Sequence, residues 1–223
     1  MRWDRSPGLR SVALVGAAVA AGAVLRARYL RWGATDEEAN VVLPGDGFLR
    51  HADLTATRAI TVAAPADRVW PWLAQLGQGR GGFYSYDFLE NLVGCDIHSA
   101  DRIVPAWQSP TLGSEVKLHP TGGLTVARVE PGRSLVLRGG VPMGRPSPCD
   151  FAWAFVLVDQ PGGATRLLAR ERYGYSRRWA ALLVEPVELI SFVMSRRMLL
   201  GIRARAERTG VPAAASRCHP LPT

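Results

Sequence analysis

The sequence predicts an α+β fold in which a strand and two short helices precede a run of antiparallel strands and one long C-terminal helix. Two changes of pattern support this prediction. Apolar residues first recur at helical spacing and then alternate with a period of two, and the last segment is apolar on nearly every side. The composition, 48% hydrophobic and 21% charged over 223 residues, is that of a chain able to bury a sizeable core. It excludes collagen-like, disulfide-scaffold and wholly disordered proteins.

The first elements of the domain are a strand over residues 57–63 and a helix over residues 67–76. The strand shows period-two alternation, and Pro65 stands just before the helix, where its fixed backbone angle suits a helix start. A glycine-rich loop without the spacing of a phosphate-binding motif follows. It leads to a second short helix over residues 85–93, with Ser85 as its predicted N-cap.

Five further strands follow, each with alternating apolar residues and each bounded by glycine or proline turn signals. Short connections of this kind predict an antiparallel meander. The predicted strands cover residues 114–119, 124–130, 134–138, 151–159 and 165–175.

The last element is a long helix that begins at Trp179 or at Pro186 and ends at Arg208. It is apolar nearly all round up to Leu200 and basic beyond that residue. The tail that follows, residues 210–223, is rich in proline and small residues and is predicted to be disordered.

An uncharged stretch over residues 11–25 precedes the domain, with arginines on both sides. With snorkelling arginines it approaches the roughly 20 residues that cross a bilayer, and Tyr29 and Trp32 stand where an aromatic belt would lie. We expect a single membrane anchor; a cleaved secretory signal and a soluble alanine-rich helix are the alternatives. The arginines are balanced and do not orient the anchor, whereas the lack of paired cysteines favours a cytoplasmic domain. The predicted organisation is an anchor over 1–34, a linker over 35–53, the folded domain over 54–209 and the tail over 210–223.

Three segments carry a resemblance to a known superfamily: the first strand, the helix APADRVWPWLAQLG and the final helix VMSRRMLLGIRARAER. In this order they resemble the START-like helix-grip superfamily (SRPBCC), which includes polyketide cyclase/dehydrase-like proteins. The resemblance covers residues 57–208 and is specific for fold, not for function. It implies that a curved antiparallel sheet wraps the long C-terminal helix and leaves a cavity for an apolar ligand.

The charge balance, 27 basic against 19 acidic residues, gives a net charge of +8. Almost all of the positive charge is arginine, since Lys117 is the single lysine, and the arginines are spread along the chain. Specific nucleic-acid binding is therefore not expected. The three cysteines have no zinc-like spacing and cannot all pair within one chain, so we expect no metal and no cofactor.

Polar and aromatic side chains are densest between residues 83 and 102, where they suit either acid–base work on a carbonyl-bearing substrate or packing and ion pairs that fix the loop. His98 with Asp101 and Arg102 is the tightest catalytic candidate, although no residue is assigned as catalytic. In the last strand, alternation places Glu171 on the inner face, with Arg138 as its expected partner. The residues predicted to bind a ligand, at the cavity entrance or in its lining, are Tyr84, Tyr86, Asp87, Glu90, His98, Arg102, Arg138, Trp153, Phe155, Glu171, Tyr173, Met194 and Met198.

These expectations combine into a membrane-tethered helix-grip domain that binds a hydrophobic small molecule or lipid in an internal cavity. Two alternatives remain open. One is a polyketide cyclase/dehydrase-like enzyme, and the other is a non-catalytic membrane scaffold that binds a protein partner and anionic headgroups.

Overall fold

A computed structural model describes residues 7–140, 149–177 and 179–208. The predicted tail, 210–223, lies outside the described residues. Within them the α+β prediction is confirmed, with a six-stranded antiparallel sheet and a long C-terminal helix. The helices are α1 (Pro7–Leu30), α2 (Asp36–Asn40), α3 (Ala66–Ala74), α4 (Asp87–Leu92) and α5 (Ala180–Arg208). The strands are β1 (Leu54–Val62), β2 (Glu115–His119), β3 (Gly122–Glu130), β4 (Ser134–Gly140), β5 (Cys149–Gln160) and β6 (Ala164–Tyr175).

The sheet has the order β1-β6-β5-β4-β3-β2, so β1 pairs with the last strand while β2 forms the opposite edge. The chain therefore crosses from one edge of the sheet to the other between β1 and β2, and α3 and α4 lie in this crossover. The register shifts between Lys117 and His119 in β2 and between Val126 and Arg128 in β3. Such bulges increase the local twist and bend this half of the sheet.

The inner face of the sheet packs against α3 and α5 and forms the main core. Gly201 brings α5 against the loop before α4, because a Cβ at this position would collide with the backbone of Tyr84. Tyr84 itself has a positive φ of 57° and is almost fully buried. This close approach sets the position of α4 relative to α5.

The start of α4 differs from the prediction. The helix begins at Asp87, and its N-cap residue, Tyr86, makes no side-chain cap. Ser85 instead donates its hydroxyl hydrogen to the carbonyl oxygen of Met194 in α5, at 2.9 Å. A tertiary hydrogen bond to α5 thus takes the place of the predicted local cap.

Residues 35–53, predicted as a linker, lie across the outer face of the sheet. Three arginines on the outward side of β6 hold this segment: Arg166 bonds the carboxylate of Glu38 at 2.7 Å, and Arg170 bonds that of Asp46 at 2.6 Å. The third, Arg172, donates to the carbonyl oxygen of Leu49. Residues 35–53 thus cover the outer face of the sheet, whereas α5 packs on the inner face.

The N-terminal helix α1 contains a 20-residue span, Ser11–Leu30, with a mean hydropathy of 1.5. In the part of the chain that the structure describes, it is the one helix long and apolar enough to cross a membrane, and its apolar window is not buried against the domain. The last turns of α1 contact the domain. Arg26 bonds Glu185 of α5 at 2.9 Å, and the rings of Tyr29 and Phe192 lie 5.8 Å apart.

Candidate functional site

A buried polar cluster joins the inner face of the sheet to α5. Its centre is the carboxylate of Glu171 in β6, which is only 2% exposed. Arg58 of β1 donates to Glu171 Oε1 at 2.9 Å, and its other terminal nitrogen bonds Glu188 of α5. Tyr173 donates to Glu171 Oε2 at 3.0 Å. The cluster thus contains one guanidinium and two carboxyl groups, all removed from solvent.

Two serines of α5 complete the coordination of Glu171. Ser195 donates to Oε1 at 2.8 Å, and Ser191 donates to Oε2 at 2.7 Å. Each carboxylate oxygen of Glu171 therefore accepts two hydrogen bonds. Four donors of this kind satisfy the lone pairs of a buried carboxylate.

The two carboxyl groups of the cluster have opposite pKa shifts. Burial acts to raise the pKa of Glu171, but the charge of Arg58 and the serine hydroxyls outweigh it, and the pKa lies below its usual value. Burial and then the charge of Glu171 raise the pKa of Glu188 to about 8. With Glu188 protonated at neutral pH, the single charge of Arg58 is balanced by the single charge of Glu171. This balance is what a buried ionic group requires.

An apolar cavity of about 790 Å³ lies between α4, α5 and the inner face of the sheet, beside the cluster. Trp153 of β5 is the cross-strand neighbour of Glu171, so it joins the cavity wall to the cluster. Ser191 and Ser195 also reach the cavity while they bond Glu171. Ser85 and Glu90 also line the cavity, and the other lining side chains are apolar: Phe83, Leu89, Leu92, Val93, Cys95, Leu118, Val187, Leu189, Ile190, Val193, Met194 and Met198.

Glu90 is the one acidic side chain among the described residues that line the cavity. Its Oε2 atom is buried and has no hydrogen-bond partner. Burial and then the neighbouring carboxylate of Asp87 raise the pKa of Glu90 to about 7. The cavity therefore contains a carboxyl group whose charge changes close to neutral pH.

The structure distributes the thirteen predicted ligand-binding residues over several places. Four of them line the cavity: Glu90, Trp153, Met194 and Met198. Two others, Glu171 and Tyr173, belong to the buried cluster. Phe155 and Tyr84 are core residues, and the Tyr84 hydroxyl donates to the carbonyl oxygen of Trp72. The remaining five, at positions 86, 87, 98, 102 and 138, line neither the cavity nor the cluster.

The structure pairs His98 and Asp101 with other residues and not with each other. The His98 side chain is 82% exposed and lies 3.3 Å from Asp96, whereas Asp101 pairs with Arg205 of α5. The Arg102 side chain is exposed, and its carbonyl oxygen accepts from Gln75. These residues therefore belong to a surface loop tied to its neighbours.

Asp87 and Tyr86 have structural contacts in the same region. Asp87 accepts hydrogen bonds from the backbone and the hydroxyl of Ser99, at 2.7 and 2.6 Å, and so fixes the loop that follows α4. The ring of Tyr86 packs against Phe88 and under the guanidinium of Arg197. These contacts match the packing interpretation of the polar-aromatic segment.

The predicted pairing of Glu171 with Arg138 is wrong. Arg138 is exposed on the outer face of β4, where its guanidinium lies 5.8 Å from the ring centre of Phe48. Its register partner in β5 is Ala152, another outer-face residue, whereas Glu171 points inward beside Trp153. Arg58 pairs with Glu171 instead, because β1 neighbours β6 and places Arg58 on the inner face.

Sequence reasoning missed Arg58, Glu188 and the two serines of the cluster. A signal for them exists in the sequence. Arg58 alternates with the inward residues Ile60 and Val62, and Glu188 is followed by Ser191 and Ser195 at spacings of three and seven. In a helix these spacings place the three polar residues along one face, within an otherwise apolar segment.

Comparison with known proteins gives distant likenesses only. No protein-family profile matches the chain, and no curated protein matches it. Protein MLL2253 from Mesorhizobium loti is 15% identical, with a TM-score of 0.44 over 71% of this chain and 100% of that chain. CalU16 from Micromonospora echinospora is 17% identical, with a TM-score of 0.34 over 69% and 84% of the two chains. DynU16, a protein in the dynemicin biosynthetic locus, is 17% identical, with a TM-score of 0.37 over 66% of this chain and 46% of that chain. These values define no family.

Proposed function

We propose that this chain is a membrane-tethered domain that binds a hydrophobic small molecule or lipid in the cavity between α4, α5 and the sheet. The observation that carries the proposal is the cavity itself, whose volume of about 790 Å³ lies within the range of small-molecule sites, roughly 300–1,000 Å³. Its wall is built mainly from aliphatic, aromatic and methionine side chains. Each buried Å² of apolar ligand surface would contribute about 25 cal/mol before the costs of ordering.

The surroundings of the cavity mouth support a ligand of this class. Leu92 is 81% exposed and Ile190 is 64% exposed, and both reach the cavity from opposite helices. Exposed apolar groups that cluster at one place mark contacts with lipid or with a partner. The mouth is therefore suited to take up a ligand from an apolar phase.

The contacts of α1 support the tether. The described residues bury none of the long apolar window of α1, whereas the core helix of a soluble protein is mostly buried. Arg26 and Tyr29 join α1 to Glu185 and Phe192 of α5, while Met194 of the same helix lines the cavity. Residues 185 and 194 are about 14 Å apart along a helix axis. A bilayer that holds α1 would thus lie near the cavity.

Ligand extraction from the full chain tests the binding function. The chain would be solubilised from membranes, and solvent extracts would be analysed by mass spectrometry beside two tryptophan variants. Met194→Trp fills the cavity, whereas Leu182→Trp places the same ring on the same helix at a position 82% exposed. We expect a stoichiometric apolar ligand in the wild type and in L182W and its loss in M194W. Extracts without a ligand, or a ligand that M194W retains equally, would contradict the proposal, while a thermal melt checks that both variants are folded.

Membrane fractionation tests the tether separately. The full chain is expected to stay in the membrane pellet after an alkaline carbonate wash, and its intact mass is expected to include residues 11–25. Release into the supernatant would indicate a soluble helix. A mature chain that begins after Ala23 would indicate a cleaved secretory signal instead.

An enzyme of the cyclase/dehydrase type is a second candidate, and Glu90 is the observation that favours it. A carboxyl group with a pKa near 7 in an apolar cavity suits proton transfer at neutral pH. The test is to incubate the extracted ligand with the full chain in D₂O. Deuterium incorporation or loss of water that requires Glu90, and is absent in Glu90→Gln, would support catalysis, whereas a ligand recovered unchanged would contradict it.

A further inference from the structure

The serine hydroxyls that reach the cavity already use their hydrogen atoms within the protein. Ser85 donates to the carbonyl oxygen of Met194, and Ser191 and Ser195 both donate to Glu171. These three groups are therefore not free donors for a ligand. The polar chemistry that the cavity offers has to come from its other heteroatoms.

Two buried polar atoms in the described cavity wall have no partner. One is the indole Nε1 of Trp153, which can only donate, and the other is Oε2 of Glu90. More than nine in ten buried polar groups in proteins are hydrogen-bonded, because an unpaired one loses its hydration without compensation. Trp153 and Glu90 line the same apolar cavity, so its wall contains a donor and an acceptor without partners, and a rotation of either side chain would bring that atom to a polar group of the occupant.

The charge of the cavity restricts which polar group this is. Among the described lining residues none is basic, while Glu90 brings an acidic group with Asp87 beside it. The buried cation of the adjacent cluster, Arg58, is already bonded to both Glu171 and Glu188. A fatty-acid carboxylate would meet a like charge without a counter-ion, which costs free energy in an apolar site.

We propose that the ligand is an uncharged hydrophobic alcohol, bound through a hydroxyl group that accepts from Trp153 Nε1 and donates to Glu90, and that the cavity discriminates against carboxylates. A hydroxyl group suits both atoms because it is a donor and an acceptor at once. This inference rests on the proposed binding function and names the chemical class of its ligand.

The test compares two probes of equal chain length, isotopically labelled hexadecan-1-ol and hexadecanoate. Binding to the full chain in nanodiscs is measured at pH 8.5, where Glu90 is ionised, and is expressed as the ratio of the two affinities. The variants are Glu90→Gln and Trp153→Phe, and the control is Glu37→Gln, which makes the same chemical change at an exposed site on α2. Partition of the probes into the bilayer cancels when ratios are compared between variants.

We expect the wild type and E37Q to prefer the alcohol by about tenfold or more, which corresponds to roughly 1.4 kcal/mol. E90Q is expected to reduce this preference by about tenfold, because it removes the like charge. W153F is expected to weaken binding of the alcohol by about threefold to tenfold, the usual effect of one hydrogen bond. Equal affinities in the wild type, or a ratio that E90Q leaves unchanged, would overturn the inference. If neither probe binds, the proposed binding function is itself contradicted.

Discussion

The cavity and the buried cluster lie side by side on α5, but their carboxyl groups are bonded to different extents. In the cluster, Glu171 accepts four hydrogen bonds and Arg58 bonds both carboxyl groups, while Arg58 Nε and Glu188 Oε2 are buried without a partner. In the cavity, Glu90 and Trp153 each have a buried atom without a partner. Glu171 is held by four donors and a cation, so the cluster is expected to serve the fold. Glu90 has neither a partner for its buried oxygen nor a basic residue among the described residues that line the cavity, so the cavity is expected to serve a ligand. Substitutions in the two regions should therefore change different observables.

The largest effect is expected from Arg58→Met, which leaves the two carboxyl groups of the cluster without their cation. Loss of one partner from a buried ion pair costs about 3–5 kcal/mol. The free energy of unfolding of the solubilised chain measures this. The control is Arg128→Met, since Arg128 forms an exposed pair with Glu130 and such pairs contribute about 1 kcal/mol or less. An R58M variant as stable as R128M would show that the cluster is not structural.

The second effect concerns pH. Because the folded-state pKa of Glu188, about 8, lies above the usual 4.5, the folded chain binds more protons than the unfolded chain between these values. Its contribution to stability is complete below about pH 4.5 and is lost as the pH rises toward 8, by at most about 1.4 kcal/mol per pH unit. Glu171 acts in the opposite sense, since its lowered pKa adds stability that is lost only as the pH falls below 4.5.

Denaturant unfolding at pH 5.5 and pH 8.5 checks this prediction. Glu188→Gln keeps the shape and the neutral state of the protonated side chain, so it is expected to be less sensitive to pH than the wild type. Glu90→Gln is the comparison variant for E188Q. Glu90 also has a raised pKa, about 7, but it lies outside the cluster and is more exposed than Glu188. If E188Q keeps the full pH dependence, Glu188 is not the group that titrates.

A smaller effect is expected from Tyr173→Phe, which removes one of the four donors to Glu171. The three remaining donors keep the carboxylate bonded, so the loss should be near 1.5 kcal/mol, the lower end for hydrogen bonds to charged groups. The matched control is Tyr86→Phe, which makes the same chemical change at a half-buried position beside α4. Its free energy of unfolding is expected to stay within about 0.5 kcal/mol of the wild type. A thermal melt that does not separate the two variants would contradict the role of Tyr173.

The smallest effect on stability is expected from Glu90→Gln. This carboxyl group makes no hydrogen bond through its buried oxygen, so its replacement should change the free energy of unfolding by less than about 0.5 kcal/mol at pH 5.5, where the raised pKa keeps it mostly protonated in the folded chain. The same variant is expected to change ligand selectivity about tenfold. A stability loss comparable to that of R58M would erase the distinction between cavity and cluster.

Sequence patterns predicted much of the scaffold. The alternation in the last strand correctly placed Glu171 and Tyr173 inward, and the long final helix was found with an end at Arg208. The cluster was harder to predict, because Glu171 meets Arg58 only through the pairing of β1 with β6, 113 residues apart along the chain. The density of polar residues between 83 and 102 was a poor guide to the cavity, since residues such as Asp87 bond the neighbouring loop instead.

By itself the sequence determined the order of the strands and helices, the inward face of β6 and the apolar character of α1, because periodicity and composition are local properties of a segment. Only the tertiary structure decided that Arg58, and not Arg138, neutralises Glu171, and that Trp153 and Glu90 share a cavity. The physical reason is that strand register and the crossing of α5 bring together groups remote in the chain. Whether a buried polar group is paired depends on those neighbours and not on its own position in the sequence.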